Sequence, residues 1–247
     1  MDLATFFGDE GVDIFSRVAI EDLPDADRAS VLEFLPPARS VIVFGKEVPV
    51  PVYRMPPREK TQQMLRIAES LDDAAGRLAG RLEREGIPAL PVPLFLPVRV
   101  VDGRVQGVVR LKHIAAAGGL GEIGKNTLLL NPRFGPQLLL AGVVAGSPVQ
   151  EAGYRNTGAP LCTGCGACIR ACPEGAIGPD GVDAFRCRTI RAWVPPPVVP
   201  AVKWLLRRQL LLRGMAPLAP LVARTATIRC SLCVTGCPAF PGAEGER

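Results

Sequence analysis

Eight cysteines, all placed after residue 160, constrain this 247-residue chain more than any other feature. In "CTGCGACIRACPEGAI" they stand at Cys162, Cys165, Cys168 and Cys172, with Pro173 after the last. In "CSLCVTGCP" they stand at Cys230, Cys233 and Cys237, followed by Pro238, and Cys187 in "FRCRTI" is the eighth. Four cysteines so close together, interleaved with Gly164, Gly166 and Ala167, need a backbone that folds tightly around its own sulfurs. The opening "MDLATFFGDEG" lacks the basic start of a secretory leader. No apolar run reaches the ~18 residues that read as a membrane span. The best candidate, "AVKWLLRRQLLLRGMAPLAPLV", is broken by Lys203, Arg207, Arg208 and Arg213. A cytoplasmic location is expected, where thiols stay reduced and eight of them point to metal rather than disulfides.

The first run follows C-x2-C-x2-C-x3-C-P, the pattern of bacterial ferredoxins. Three thiolates close in sequence wrap one corner of a cubane, and the fourth points to a second cluster. Zinc favours separated pairs of ligands. The second run ends in C-x2-C-x3-C-P but lacks its first cysteine, and Cys187 is the only one left to replace it. Exchange of the fourth ligand then assigns Cys162, Cys165, Cys168 and Cys237 to cluster one. Cluster two takes Cys172, Cys187, Cys230 and Cys233. Two [4Fe–4S] clusters use all eight; the alternative is one cluster with loose cysteines.

The first two-thirds of the chain contain no cysteine, which places a boundary in "SPVQEAGYRNTGAP" and predicts domains over 1–155 and 156–247. Apolar residues make up 48% of the chain, enough for a sizeable core. The net charge of +5 suits an ordinary surface, an acidic protein partner or an RNA backbone. "VDIFSRVAI" reads as a strand, "DADRASVLEFL" as a helix with Asp25 as N-cap, and "SVIVFG" as a buried strand closed by Gly45. The strongest helix lies in "PPREKTQQMLRIAESLDDAAGRLAGRLEREG", where Met64, Ile67, Leu71, Ala75, Leu78 and Leu82 keep a helical spacing and Gly86 supplies the stop. "ALPVPLFLPVRVV" is extended, and "TLLLNPRFGPQLLLAGVVAG" reads as two strands around a turn at 131–135. The mixture predicts an α+β class, a sheet with helices packed on it. An insertion of about 190–228 separates the cysteine runs. Its "WVPPPVVP" reads as a stiff polyproline-like arm, and "AVKWLLRRQLLLRG" as a basic apolar helix. That helix is expected to pack over the clusters, with a membrane surface or a partner as alternatives.

"GGLGEIGKN" carries Gly119, Gly121 and Gly124 in the dinucleotide spacing G-x-G-x-x-G. That fingerprint needs a strand before it and a helix N-terminus after it. Here the order is reversed, with "RLKHIAAAG" reading as a helix before and "KNTLLLNP" as β-rich after. The acidic residue about 20 positions on is also missing. The expected role is a helix-to-strand corner in which glycines allow positive φ and close backbone approach.

"LPPARSVIVFG", "HIAAAGGLGEIGKNTLLLNPRFGP" and the eight-cysteine arrangement together resemble epoxyqueuosine reductase and its relatives, over roughly residues 10 to 240. The resemblance implies a nitroreductase-like N-terminal domain that holds a cobalamin, followed by a two-cluster ferredoxin-like domain that feeds electrons to the cobalt. It implies reductive removal of an epoxide oxygen from a tRNA nucleoside, with a low-potential donor of ferredoxin or flavodoxin type. By the same resemblance Gly119, Gly121, Gly124, Lys125 and Asn126 border the corrin pocket. The family's proton-donating aspartate stretch is not matched: the local sequence is "DGRVQGVVRL", and Asp102 is the nearest acid. His113, the only histidine, is a candidate proton donor or cofactor neighbour, or a helix residue bonded locally. Lys125 meets a cofactor phosphate or amide, or caps the preceding helix. Glu122 reads as a solvated loop residue. The second functional reading is a ferredoxin-like electron carrier or reductive activator without its own corrinoid. A third, an RNA-binding enzyme, rests on charge alone.

Overall fold

The run Val41-Ile42-Val43-Phe44 explains the layering of the first domain. All four side chains are 0% exposed, so the strand that carries them is buried on both faces. The computed structural model describes residues 2–101, 104–148, 160–179 and 181–242. In chain order the cysteine-free part, called the first domain below, comprises α1 (Leu3–Asp9), β1 (Ile14–Ala19), α2 (Asp25–Phe34), β2 (Ser40–Glu47), α3 (Val50–Arg54), α4 (Pro57–Arg84) and β3 (Ala89–Pro91). It continues with β4 (Val98–Val101), β5 (Arg104–Gly107), α5 (Leu111–Ala117), β6 (Glu122–Ile123), β7 (Leu129–Leu130) and β8 (Leu138–Ala145). The main sheet has the order β1-β2-β8-β3, and each pairing is antiparallel.

Because side chains alternate along a strand, β2 feeds two cores. Val41 and Val43 face a cluster with Val18, Val31, Ile114 and Leu120, contributed by β1, α2, α5 and the glycine corner. Ile42 and Phe44 face a cluster with Phe6, Phe7, Leu71, Ala75 and Leu78, which belongs to α1 and α4. Burial of side chains of this size contributes roughly 1.5–3 kcal/mol each. The helix α4 runs 28 residues and stops where Gly86 turns to φ +77. Its apolar stripe covers the sheet from residue 71 onward, while its first turns run past the sheet toward the second domain.

Several local expectations are corrected. Pro24, not Asp25, occupies the N-cap of α2, and Asp25 pairs with Arg28 one turn on. Gly45 does not close β2, which continues to Glu47. Its lack of a side chain instead admits β8, because a Cβ there would lie 2.8 Å from the Leu139 carbonyl oxygen. The strands β7 and β8 flank the turn at 131–135 but do not pair with each other. β7 pairs with β6, and β8 joins the main sheet.

The cysteine-bearing part, called the second domain for brevity, comprises α6 (Ala167–Ala171), β9 (Ile177–Gly178), β10 (Gly181–Val182), α7 (Arg188–Arg191), α8 (Val199–Leu206), α9 (Gln209–Met215), α10 (Ala219–Thr225) and α11 (Leu232–Thr235). The two cysteine runs meet where α6 packs on α11. Gly236 permits this approach, since a Cβ there would lie 3.1 Å from that of Ala171. The expected boundary at 155/156 lies outside the described residues. The proline arm is not polyproline: Pro196–Val198 forms a 3-10 turn that leads directly into α8. The expected single basic helix is broken into α8 and α9, and both pack on β4. Trp204, Leu218, Leu221 and Val222 remain more than half exposed. Among the described residues, no helix is long and apolar enough to cross a membrane.

Candidate redox site

The glycine corner is built by close contact. Gly118 ends α5 against β1, where its carbonyl accepts from Ser16 Oγ at 2.9 Å. A Cβ on Gly118 would lie 2.6 Å from Val18 Cγ2. Gly121 sits at φ +156 with its missing Cβ only 2.0 Å from the Leu130 carbonyl oxygen. Asn131 locks the far side, donating from Nδ2 to the Leu120 carbonyl at 2.6 Å. No side chain larger than hydrogen fits at Gly121, so this glycine serves the β6–β7 approach.

The corner also touches both cysteine runs. The backbone N–H of Cys162 donates to the Glu122 carboxylate. Glu122 is therefore not the solvated loop residue expected: it tethers the first cysteine loop. Gly164 lies against the stem of Lys125, whose Cε would be 3.6 Å from a Cβ there. Lys125 stands eight residues past the end of α5, whose C-cap is Gly118, and does not cap it. Asn126 is only 4% exposed. Its Nδ2 donates to the Cys233 carbonyl at 3.0 Å, and its Oδ1 accepts from the Leu128 N–H at 3.2 Å.

All eight cysteines are free thiols. Gly164 and Gly166, both at φ +71, allow the first loop to curl around its sulfurs. The Ala176 N–H donates to Cys172 Sγ at 3.3 Å. Burial pushes the Cys233 thiol up to about 11, and Cys187, Cys230 and Cys172 add to the rise. Burial also raises Cys237, with Cys168, Cys165 and Cys162 as the charged neighbours. Cys168 is raised by burial and by Cys162 and Cys165. These thiols must lose protons to bind metal, so loading the site releases acid. Among the described residues, no three or more His, Cys, Asp or Glu side chains close around a single ion.

Beside the corner opens a cavity of about 790 Å³, within the size range of small-molecule and cofactor sites. Val92, Val109, Leu138, Leu140 and Ala141 give it an apolar wall, and Pro179 and Val182 of the second domain close one side. His113, Gly124 and Lys125 line it; Gly119, Gly121 and Asn126 are not among its lining residues. Asp102 lies outside the described residues. Two lining residues escaped the sequence reading: Arg110 and Lys112, which flank Leu111 at the start of α5. Their position in "RLKHIAAAG", beside the sole histidine, was the available signal.

Arg110 Nε binds the buried Asp27 carboxylate at 2.7 Å, which ties α5 to α2. Lys112 opens to the cavity but is ringed by protein, and this burial lowers its pKa. Its Nζ donates to the Thr127 carbonyl at 2.7 Å. Thr127 adopts φ +58, an uncommon conformation for a β-branched residue, so backbone strain is stored at the cavity rim. His113 is held below its usual pKa by burial first, then by the Arg110 and Lys112 charges, with Asp27 opposing them. It is therefore a neutral imidazole at pH 7.

Comparison with known proteins gives a consistent picture. A 4Fe-4S binding domain model matches residues 160–178. The epoxyqueuosine reductase of Listeria monocytogenes is 33% identical over 92 residues, covering 35% of this chain and 24% of its own length. That of Synechocystis sp. is 31% identical over 166 residues, covering 65% of this chain and 53% of its own. The chain thus spans about half, or less, of the length of the curated relatives it matches. Among solved structures, epoxyqueuosine reductase from Streptococcus thermophilus aligns with a TM-score of 0.60 at 17% identity, over 97% of this chain and 65% of that one. An epoxyqueuosine reductase bound to a modified tRNA stem loop aligns at 0.51 and 21% identity, over 76% and 55%. A reductive dehalogenase described with a B12-dependent mechanism aligns at 0.52 and 16% identity, over 87% and 33%. The chain is thus similar in sequence to epoxyqueuosine reductases over part of its length and shares their fold.

Proposed function

We propose that this chain is an iron–sulfur oxidoreductase in which two [4Fe–4S] clusters deliver electrons to the cavity beside α5. The observation that carries this reading is the pair Lys125 and Asn126. Adjacent in sequence, one lines the cavity and the other bonds the backbone of Cys233. The second cysteine run and the cavity therefore share a wall one loop thick. The two ligand sets are supported by the thiol neighbourhoods, in which Cys233 senses Cys187, Cys230 and Cys172 while Cys237 senses Cys168, Cys165 and Cys162.

The cavity residues fit a corrinoid. The apolar wall at Leu138, Leu140 and Ala141 suits the face of a macrocycle, and Lys125 suits its phosphate and amides. A corrinoid bound there would supply reductive chemistry at cobalt, with the protein contributing position and shielding. Removal of an epoxide oxygen consumes two electrons and two protons and releases water. Lys112 is the cavity's proton donor in this reading, because its ammonium lines the cavity and is held there by the Thr127 carbonyl. Electrons enter from a low-potential donor of ferredoxin or flavodoxin type. A modified tRNA nucleoside is the first substrate class to examine and a halogenated organic the second, following the proteins this chain is similar to.

Anaerobic reconstitution should yield about eight iron and eight sulfide per chain, as two [4Fe–4S] clusters require. Addition of cobalamin should shift the corrin absorption spectrum saturably, and the reduced protein should turn over epoxyqueuosine RNA. Iron near four per chain would overturn the two-cluster reading. Two clusters without saturable cobalamin binding would favour the electron carrier or reductive activator instead.

A further inference from the structure

The first turn of α4 buries a cation beside the second cysteine run. Lys60 is 6% exposed, and its Nζ donates to Ser231 Oγ at 3.1 Å. Ser231 stands between Cys230 and Cys233. The next residue fastens the same contact: the Ile228 N–H donates to Thr61 Oγ1 at 2.7 Å, and Thr61 is 3% exposed. Helix α4 is thus pinned at two points to the segment that delivers Cys230 and Cys233.

Among the described residues, no carboxylate pairs with Lys60. The acid next to it in sequence, Glu59, is exposed. A serine hydroxyl satisfies one ammonium proton but offers no opposing charge. Burial of an ammonium without an anion is costly, so a cation held this way marks a missing negative partner. The groups that Ser231 brings nearest in the chain are cysteines, and four thiolates around an iron–sulfur core form an anion that gains one more charge on reduction.

We infer that Lys60 is the buried counter-charge of the cluster held by Cys172, Cys187, Cys230 and Cys233, and that it favours the reduced state of that cluster. The inference rests on the two-cluster reading. The step is a one-electron reduction: a low-potential donor loses one electron, the cluster gains it, and no proton or bond is exchanged. The positive end of α4 adds to the same effect. Net charge near a cluster is one of the levers that set its potential. Lys60 acts here as a positioning residue that biases one cluster and leaves the other as it is.

The test is a dithionite-based redox titration of the reconstituted protein, followed by electron paramagnetic resonance of both clusters. Wild-type protein is examined first; fewer than two clusters there would fail the underlying reading, not this inference. In Lys60→Gln, one cluster should become at least tenfold harder to reduce, which is about 59 mV for one electron. The other cluster should stay within threefold. Lys60→Arg should restore the wild-type value. Full clusters with both potentials unchanged in Lys60→Gln would overturn the inference. If Lys60→Gln does not assemble, Lys60→Met, which keeps the apolar stem, replaces it. Failure of both neutral variants beside normal assembly of Lys60→Arg would support a required positive charge. Failure of Lys60→Arg as well would overturn the inference in favour of a packing role.

Discussion

Asn126 and Cys233 are 107 residues apart in sequence and joined by one hydrogen bond of 3.0 Å, from side-chain amide to backbone carbonyl. The same amide oxygen receives the Leu128 N–H, so Asn126 folds its own loop while holding the second cysteine run. Substitution by alanine leaves the Cys233 carbonyl without this donor at a part-buried site. The expected loss is about 1–3 kcal/mol, read as a lowered denaturant midpoint. Cluster content should fall with it when iron is measured after dilution into mild denaturant, because the ligand loop loses its anchor.

Gly121→Ala should be far more damaging than its size suggests. The added methyl would sit 2.0 Å from the Leu130 carbonyl oxygen, which is backbone and cannot move aside. Gly76→Ala is the control. It lies within α4 with nothing inside 4 Å of the new methyl. Relief of glycine's entropy there should stabilise the protein by roughly 0.5–1 kcal/mol. Paired unfolding curves would separate a glycine required for close approach from one that is not.

His113 predicts a pH dependence with a definite sign. Its folded pKa lies below the ordinary value of 6.5. As pH falls below that value the unfolded chain takes up its proton first, so stability declines. The decline is complete once pH drops beneath the folded pKa. Above pH 6.5 both states are neutral and the residue contributes no slope. His113→Asn should flatten this part of the stability profile, measured by urea unfolding between pH 5 and 7.

Lys112→Gln removes the proposed proton donor of the cavity and keeps a hydrogen-bond donor for the Thr127 carbonyl. Turnover of the reduced enzyme should fall about 10²–10⁴-fold, the usual contribution of a positioned acid. Iron content and cobalamin binding should change little. Equal turnover in the variant would exclude Lys112 from proton transfer.

Residues 188–229 contain eight Lys or Arg and no Asp or Glu, which leaves 21 basic against 24 acidic residues in the rest of the chain. Arg207 and Arg208 are exposed there, and the Arg208 guanidinium lies over Trp204 at 4.9 Å. Rim charges act mainly on association rate. Glutamate at both positions should slow reduction by an acidic carrier and weaken its salt dependence, while small-molecule dithionite reduces the variant normally. Stopped-flow traces at low and moderate ionic strength would show this.

Local pattern was legible wherever one physical cause dominated. The apolar repeat of α4 and the continuous run of β2 each reflect burial along one element, and both strands around residues 131–135 were readable as strands. Their pairing was not, because β7 and β8 choose partners across the fold rather than across the turn. Asp25 failed as an N-cap because Pro24 already presets the entry to α2, which frees the carboxylate for Arg28. Asn126 and Glu122 carried no sequence signal for their contacts, since both partners lie in the second domain.

The sequence by itself determined the cofactor class of the second domain, because thiolate spacing along a short loop dictates what the loop can wrap. It also determined that the glycine motif is no dinucleotide loop, since the order of helix and strand around it is local. Only the tertiary structure decided that this corner joins the cysteine loops to a cavity, that Lys112 and Arg110 belong to it, and that Lys60 is buried against Ser231. Those facts depend on side chains meeting across 40 to 170 residues of chain, and no local preference encodes such a meeting.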